Sequence, residues 1–235
     1  MEVSDYFDEL YRRPGRYWWH EDNRYAGSPG AYPQSLLTRE TLRLIQGRSR
    51  LRVLDLGAGE GADSIRLALL GHEVDAVELS EEAAKKIQMY ADEAQAAVNV
   101  ETCDITRYKP AHAYDVVICN GVLHYIEDKP SVLEMMQEAT SAGGIDIISL
   151  WSTHSPVPRF HNRIPAFCDH EDGVVIRSYG RWATEIKRFE RDKPEKSHTD
   201  MPPHAHSHIK LIVRKPPARA AQHVTQGAAA MRRRG

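Results

Sequence analysis

Apolar positions along the middle of the chain switch repeatedly between two periods. Residues 51–56 (LRVLDL) form a short apolar run, and a glycine-rich turn follows. Residues 62–70 (ADSIRLALL) then carry apolar side chains at helical spacing, and Gly71 ends the pattern as a left-handed helix cap does. Residues 73–79 (EVDAVEL) read as a second strand. Ser80, followed by Glu81 and Glu82, reads as an N-cap with acids in the first turn, where the helix dipole favours them. The helix it opens extends to about Ala97. Residues 98–102, 114–119 (YDVVIC) and 145–151 (IDIISLW) complete five strands. A helix is expected over 131–140, with a turn at Ala142-Gly143-Gly144 before the fifth strand.

These strands are β-branched and lack clean polar alternation, as strands buried on both faces do. Strand–helix alternation at this spacing predicts right-handed crossovers and a doubly wound α/β sheet. Residues 183–191 (ATEIKRFER) and 208–214 (HIKLIVR) also read as strands. No helical pattern fits between them, so they are expected to pair antiparallel. The expected layout is five parallel strands with an antiparallel strand at the end. No internal repeat of solenoid length occurs. Three zones result: an N-terminal helical lid segment over 1–49, the α/β domain over 50–215, and a basic tail over 216–235.

Composition narrows the class. The 235 residues are 41% hydrophobic and 27% charged, which supplies one sizeable core and excludes wholesale disorder. No apolar run approaches the roughly 18–20 residues that cross a bilayer. The first ten residues, MEVSDYFDEL, are acidic and have no apolar core of a signal peptide, so no membrane role and no secretion are expected. Cys103, Cys119 and Cys168 lack CxxC spacing, which excludes a disulfide scaffold and fits a reducing, cytoplasmic setting. A net charge of −2 gives no general drive toward nucleic acid. The last twenty residues hold four arginines and no acid, and read as a solvated tail.

Candidate chemistry concentrates at Val53-Leu54-Asp55-Leu56-Gly57-Ala58-Gly59-Glu60-Gly61. An apolar strand runs into Gly-x-Gly-x-Gly, and a helix follows. Glycine serves where the backbone turns tightly and a ligand touches the main chain. The helix N-terminus then offers unpaired N–H groups and a partial positive charge. Glu78 closes the second strand 21 positions after Gly57. An acid there accepts the hydroxyls of a ribose, so the conjunction points to an adenosine-bearing cofactor. A dinucleotide remains an alternative, because Ala62 at the third-glycine position is tolerated in that fingerprint. The acids argue against it: Asp55 and Glu60 repel a pyrophosphate but suit an α-ammonium group.

This stretch resembles the first motif of class I S-adenosylmethionine-dependent methyltransferases. Val77-Glu78-Leu79-Ser80 is similar to their second motif. Cys103-Asp104-Ile105 sits where the family carries an acid facing the adenine amino group. Residues 114–125 (YDVVICNGVLHY) resemble the fourth-strand motif, and Ala142-Gly143-Gly144-Ile145 the turn before strand five. Phe7-Asp8-Glu9-Leu10-Tyr11 and Tyr17-Trp18-Trp19 resemble the opening segment of small bacterial enzymes of the tellurite-resistance and thiopurine type. The resemblance implies a Rossmann-like fold binding S-adenosyl-L-methionine. Gly57, Ala58 and Gly59 would then seat the methionine part, with Glu78 and Leu79 at the ribose. Asp104 and Ile105 would frame the adenine, and Asn120 and Val122 line the sulfonium side. Tyr11 and Trp18 would belong to a lid, its bland alternative being an amphipathic helix packed on the core. The expected activity is methyl transfer to N or O of a small-molecule acceptor by a monomer or homodimer. Chalcogen oxyanions or thiols, peptides, and a non-catalytic sensor are the alternatives.

His124, at the mouth of the expected site, is the candidate general base, weighed against a packing role. Residues 152–172 contain three prolines and no period, and follow strand five, where an acceptor pocket opens in such folds. Arg159, His161, Arg163 and Phe167 are the candidate contacts there, and Cys168 reads as an ordinary thiol. Arg12, Arg13 and Arg16 read as a solvated face more readily than as an anion site. His198, His204, His206 and His208 are dense. Alternation along a strand would put three imidazoles on one face, a spacing that ligates zinc or nickel. Pro202-Pro203 and the lack of an interleaved acid or cysteine favour exposed histidines on an edge strand, and no metal is expected.

Overall fold

In the computed structural model, which describes residues 1–15, 35–157, 160–195 and 204–218, seven strands form one sheet. They are β1 (Arg52–Leu56), β2 (Glu73–Glu78), β3 (Val98–Thr102), β4 (Tyr114–Asn120), β5 (Thr140–Ser152), β6 (Ala183–Glu195) and β7 (His204–Arg214). Their spatial order is 3-2-1-4-5-7-6. The first five run parallel, and β7 lies antiparallel to both β5 and β6. The helices are α1 (Val3–Tyr11), α2 (Leu36–Leu44), α3 (Ala62–Leu69), α4 (Glu81–Ala94), α5 (Lys129–Ala139) and the short α6 (Val174–Ser178). No helix among the described residues is long and apolar enough to cross a membrane.

Successive residues of the central strands enter opposite layers of core. Val53, Val116 and Ile118 pack with Leu37, Ile65 and Ile87 from α2, α3 and α4. Leu54, Leu56 and Val117 pack with Val132, Leu133 and Met136 of α5 and Val175 of α6. This is why the strands carry no polar face. Each such fully buried aliphatic side chain contributes about 1.5–3 kcal/mol. α1 closes over one end through Tyr6 and Leu10, which meet Ile164.

Local signals set most boundaries. The Ser80 hydroxyl accepts from Ala83 N at 3.1 Å and caps α4, which ends at Ala94 because Gln95 adopts a left-handed φ of 57°. Asp128 caps α5, its Oδ1 accepting from Ser131 N at 3.3 Å with Pro130 in the first turn. The expected turn at residues 142–144 is instead a kink within β5. A Cβ on Gly144 would stand 2.9 Å from the carbonyl oxygens of Asp115 and Ser141, and the register with β4 slips between Tyr114 and Val116. α6 falls in a stretch without readable period; the Asp169 carboxylate receives Val174 N and Val175 N at 3.2 and 2.9 Å and caps it.

The expected exposed edge strand for the histidines is corrected. β7 begins at His204, four residues earlier than the apolar pattern, and lies between β5 and β6. β6 pairs along the whole of β7 and β5 along Ser207–Arg214, so at His204–His206 the backbone is paired on the β6 side, and the His206 ring is covered by Trp151 and His161. His206 is buried, and His204 and His208 are half-buried. β6, running parallel to the first five strands, takes the edge.

Candidate functional site

The chain reverses its direction of travel across the sheet at β1, which has β2 on one side and β4 on the other. The carboxyl end of β1 is therefore a switch point, where a crevice opens in such sheets. There the chain bends through Gly57, Gly59 and Gly61, with φ of 71°, 58° and 77°. Gly57 N and Ala58 N both donate to Val77 O, at 2.8 and 3.1 Å, which binds the bend to the end of β2. A Cβ on Gly57 would stand 2.4 Å from Val122 Cγ2. Glycine is required at this position by both dihedral angle and space.

Glu78 is buried beside the bend. Its Oε2 accepts from Gly59 N at 2.7 Å and its Oε1 from Ser80 N at 3.0 Å. These main-chain donors fix the carboxylate in place. Burial pushes its pKa up to about 7, against the pull of the N–H groups of Ser80, Gly59 and Leu79. Leu79 itself is half-buried. Cys103 N donates to Glu78 O at 2.9 Å and brings the Asp104-Ile105 turn alongside. Asp104 Oδ1 accepts from Thr106 N and Oγ1 at 2.9 and 2.8 Å, so one oxygen is committed to its own turn. Ile105 is buried in the core layer below.

A second acidic group lies beneath the bend. Asp55 Oδ2 accepts from Ser64 Oγ at 2.6 Å. Asp63, in the first turn of α3, accepts from Thr38 Oγ1 at 2.7 Å and from Asn120 Nδ2 at 3.3 Å. Burial, then the charge of Asp63, raises Asp55 to about 7; burial also raises Asp63. Asn120 is held in turn by Ser149 Oγ, which donates to its Oδ1 at 2.5 Å. The charge expectation at Glu60 is corrected: its carboxylate turns to Lys86 Nζ at 3.0 Å. Asp63 is the acid that partners Asp55. The sequence offers a signal for it, an acid in the first turn after the glycines, which the expectation for this helix did not use.

α1 reaches the same place. Tyr11 is buried, and its hydroxyl lies 3.2 Å from where a Cβ on Gly59 would stand. Asp8 Oδ1 accepts from Ser80 Oγ at 2.5 Å and from Glu82 N at 3.3 Å, fastening α1 to the N-terminus of α4. Lys86 Nζ also donates to the carbonyls of Arg13 and Gly15 at 3.0 and 2.6 Å. The helix is thus packed on the core and in contact with the bend. Arg12 and Arg13 are exposed, as expected of a solvated face. Arg16, Tyr17, Trp18, Trp19, Arg159, His198 and most of the basic tail lie outside the described residues.

Beyond β4, Val122 lies against Gly57, and Leu123–Tyr125 form a single 3₁₀ turn. His124 is buried there, its ring stacked on Trp151 at 3.8 Å. Trp151 N donates to its Nδ1 at 3.4 Å, a long contact that puts the ring proton on Nε2. Burial, then the charges of His208, His206 and His161, hold its pKa well below the usual value. The ring stays neutral with its acceptor nitrogen turned to the main chain, which favours the packing role over that of a base.

Past the end of β5, an open cavity of about 450 Å³ is lined by Ser152, Thr153, His154, His170, Glu171 and Asp172. Of the expected acceptor contacts, Arg163 pairs with Glu9 at 3.3 Å and lies over the Tyr6 ring. Phe167 N donates to His124 O at 2.7 Å. His161 is fully buried. Burial raises the Cys168 thiol to about 11, as befits an unreactive cysteine.

Residues 48–193 match the family model described as a methyltransferase domain. The chain is 25% identical over 170 residues to tRNA 5-carboxymethoxyuridine methyltransferase of Escherichia coli K12, covering 70% of this chain and 62% of that protein. It thus spans less than two thirds of the length of this curated relative. The fold is similar to that of TehB from Haemophilus influenzae, with a TM-score of 0.65 at 21% identity, covering 90% of this chain and 66% of that one. It is also similar to magnesium protoporphyrin IX methyltransferase from Synechocystis PCC 6803, solved with bound SAH. There the TM-score is 0.62 at 18% identity, over 91% of this chain and 98% of the other.

Proposed function

From the premise that the chain belongs to the class I S-adenosylmethionine-dependent methyltransferase family, we propose that it binds S-adenosylmethionine at the β1–α3 bend and methylates N or O of a small-molecule acceptor. The observation that carries this reading is the set of buried carboxylates around a glycine bend. Among the described residues, the hydrogen-bond donors to Asp55, Asp63 and Glu78 are the neutral groups of Ser64, Thr38 and Asn120 and main-chain N–H groups. Burial makes their ionised forms costly, so a cation arriving there recovers favourable charge interaction. A pyrophosphate would meet the same acids with like charge.

In this account Gly57, Ala58 and Gly59 offer main chain for close approach, and Glu78 offers its carboxylate to the hydroxyls of a ribose. Asp55 and Asp63 face the α-ammonium group. Asn120 and Val122 line the sulfonium side, and Asp104, Ile105 and Leu79 frame the base. When bound, the cofactor supplies a sulfonium-activated methyl group. The chain's own contribution is alignment and exclusion of water, with Tyr11 and α1 packed over the bend. His124 enters as a wall of the site.

The cavity beyond β5 is the proposed acceptor side. Its acids Glu171 and Asp172 and the net charge of −2 disfavour a phosphodiester, so the tRNA acceptor of the E. coli relative is not carried over. The domain limits follow the same reading: lid over 1–49, catalytic domain over 50–215 and tail over 216–235, in the cytoplasm. The test is incubation with S-adenosylmethionine labelled at the methyl group, once with a small-molecule extract and once with tRNA. Label appearing in small molecules supports the proposal; label confined to tRNA refutes the acceptor class.

A further inference from the structure

Three histidines from two distant parts of the chain meet at the start of β7. His204 and His206 share one face of that strand, and His161 comes from the loop after β5. His161 and His206 are buried and His204 is half-buried. Their Nε2 atoms form a closed triangle: 3.2 Å from His161 to His204, 2.9 Å from His204 to His206, and 3.1 Å from His206 to His161. The Trp151 ring backs the group, stacked on His206 at 4.3 Å and edge-on to His161 at 4.5 Å.

Protons alone do not satisfy this triangle. An imidazole nitrogen carries either one N–H or one lone pair in the ring plane. With three nitrogens in mutual contact, any distribution of protons leaves at least one pair facing like with like, N–H against N–H or lone pair against lone pair. A cation removes the conflict, because it accepts three lone pairs at once. The dimensions suit one. At the usual Zn–N distance of about 2.0–2.1 Å, an ion equidistant from the three nitrogens stands about 1 Å off their plane. Tetrahedral ligation at that distance asks for nitrogens about 3.3 Å apart, close to the spacing found. Three neutral imidazoles select a late first-row divalent ion over magnesium or calcium, which prefer oxygen.

We propose that His161, His204 and His206 form a binding site for a zinc-type divalent transition-metal ion, these three being its ligands among the described residues. The site ties the loop after β5 to β7. It does not depend on the cofactor reading: a chain that binds zinc and no S-adenosylmethionine keeps it.

The test uses the full chain without an added histidine tag, stripped with a chelator and titrated with Co²⁺ and then Zn²⁺. Co²⁺ is expected to give the visible bands of a low-coordinate nitrogen site without a thiolate charge-transfer band, and one Zn²⁺ per chain is expected to displace it. His204→Gln and His206→Ala are expected to weaken Zn²⁺ binding at least 100-fold, while exposed His112→Ala leaves it unchanged. Far-UV circular dichroism checks that each variant is folded; if a variant is not, the wild-type Co²⁺ spectrum decides alone. Absence of those bands in the wild type, a thiolate band in their place, or Zn²⁺ binding undiminished in folded His204→Gln overturns the proposal.

Discussion

Replacing Gly57 by alanine places a methyl group where the bend has no space for one. Two costs add. A residue with a Cβ at a φ of 71° adopts the left-handed region at roughly 1–2 kcal/mol. The new Cβ also stands 2.4 Å from Val122 Cγ2, well inside the roughly 3.5–4.0 Å of ordinary carbon contact. Overpacking of this kind costs about 1–3 kcal/mol. The expected loss for Gly57→Ala is therefore about 3 kcal/mol. Val122→Ala removes the clashing atom, so in that background the same glycine change should cost only the dihedral part, about 1–2 kcal/mol. A coupling of roughly 1–2 kcal/mol between the two sites follows, readable from a double-mutant cycle of urea unfolding with the slope held constant. Calorimetry with S-adenosylmethionine should show the same pattern, weakened in Gly57→Ala and partly restored in the double variant. A Gly57→Ala protein within 0.5 kcal/mol of wild type, a threshold below the smallest of these costs, refutes the reasoning. So does a cost that Val122→Ala leaves untouched.

Two further predictions concern buried ionisable groups. Asp55 titrates near 7 when folded against 3.8 when free, so the stability it contributes at low pH is lost as pH rises toward 7. Asp55→Asn should therefore gain on wild type by roughly 2 kcal/mol between pH 5.5 and 8 in urea unfolding, with histidine contributions cancelling in the difference; a difference independent of pH contradicts this. His124→Ala removes a buried ring stacked on Trp151 and should cost about 2–4 kcal/mol of stability while S-adenosylmethionine affinity changes less than about threefold. Unchanged stability with lost affinity would reassign His124 to the cofactor.

The parallel part of the sheet was legible because its strands are buried on both faces and each is followed by a helix with readable punctuation. β3 came out with the bounds expected, and Ser80 and Gly71 mark helix ends as their chemistry requires. Legibility failed where tertiary partners replace local signals. β7 starts among histidines because β6 pairs with its first residues while Trp151 and His161 pack on the His206 ring, and hydropathy alone cannot see that. α6 has five residues, too few for a period, and depends on the Asp169 carboxylate. At the site, Asp55, Gly57 and Glu78 stand together as their spacing implied. Asp63 went unread because a first-turn acid is usually only a dipole partner. The histidine triangle went unread because His161 lies 43 residues from His204 and no spacing rule joins them.

The central claim is that the bend after β1 holds a cationic adenosyl ligand against buried acids. Calorimetric titration of the full chain with S-adenosylmethionine, and in parallel with NAD, measures it most directly. The account predicts one S-adenosylmethionine site per chain and no NAD binding. In Glu78→Ala, affinity for S-adenosylmethionine should fall about 10–100-fold, from the loss of a charged acceptor worth roughly 1.5–3 kcal/mol. Binding of NAD in place of S-adenosylmethionine, or equal affinity in wild type and Glu78→Ala, would contradict it.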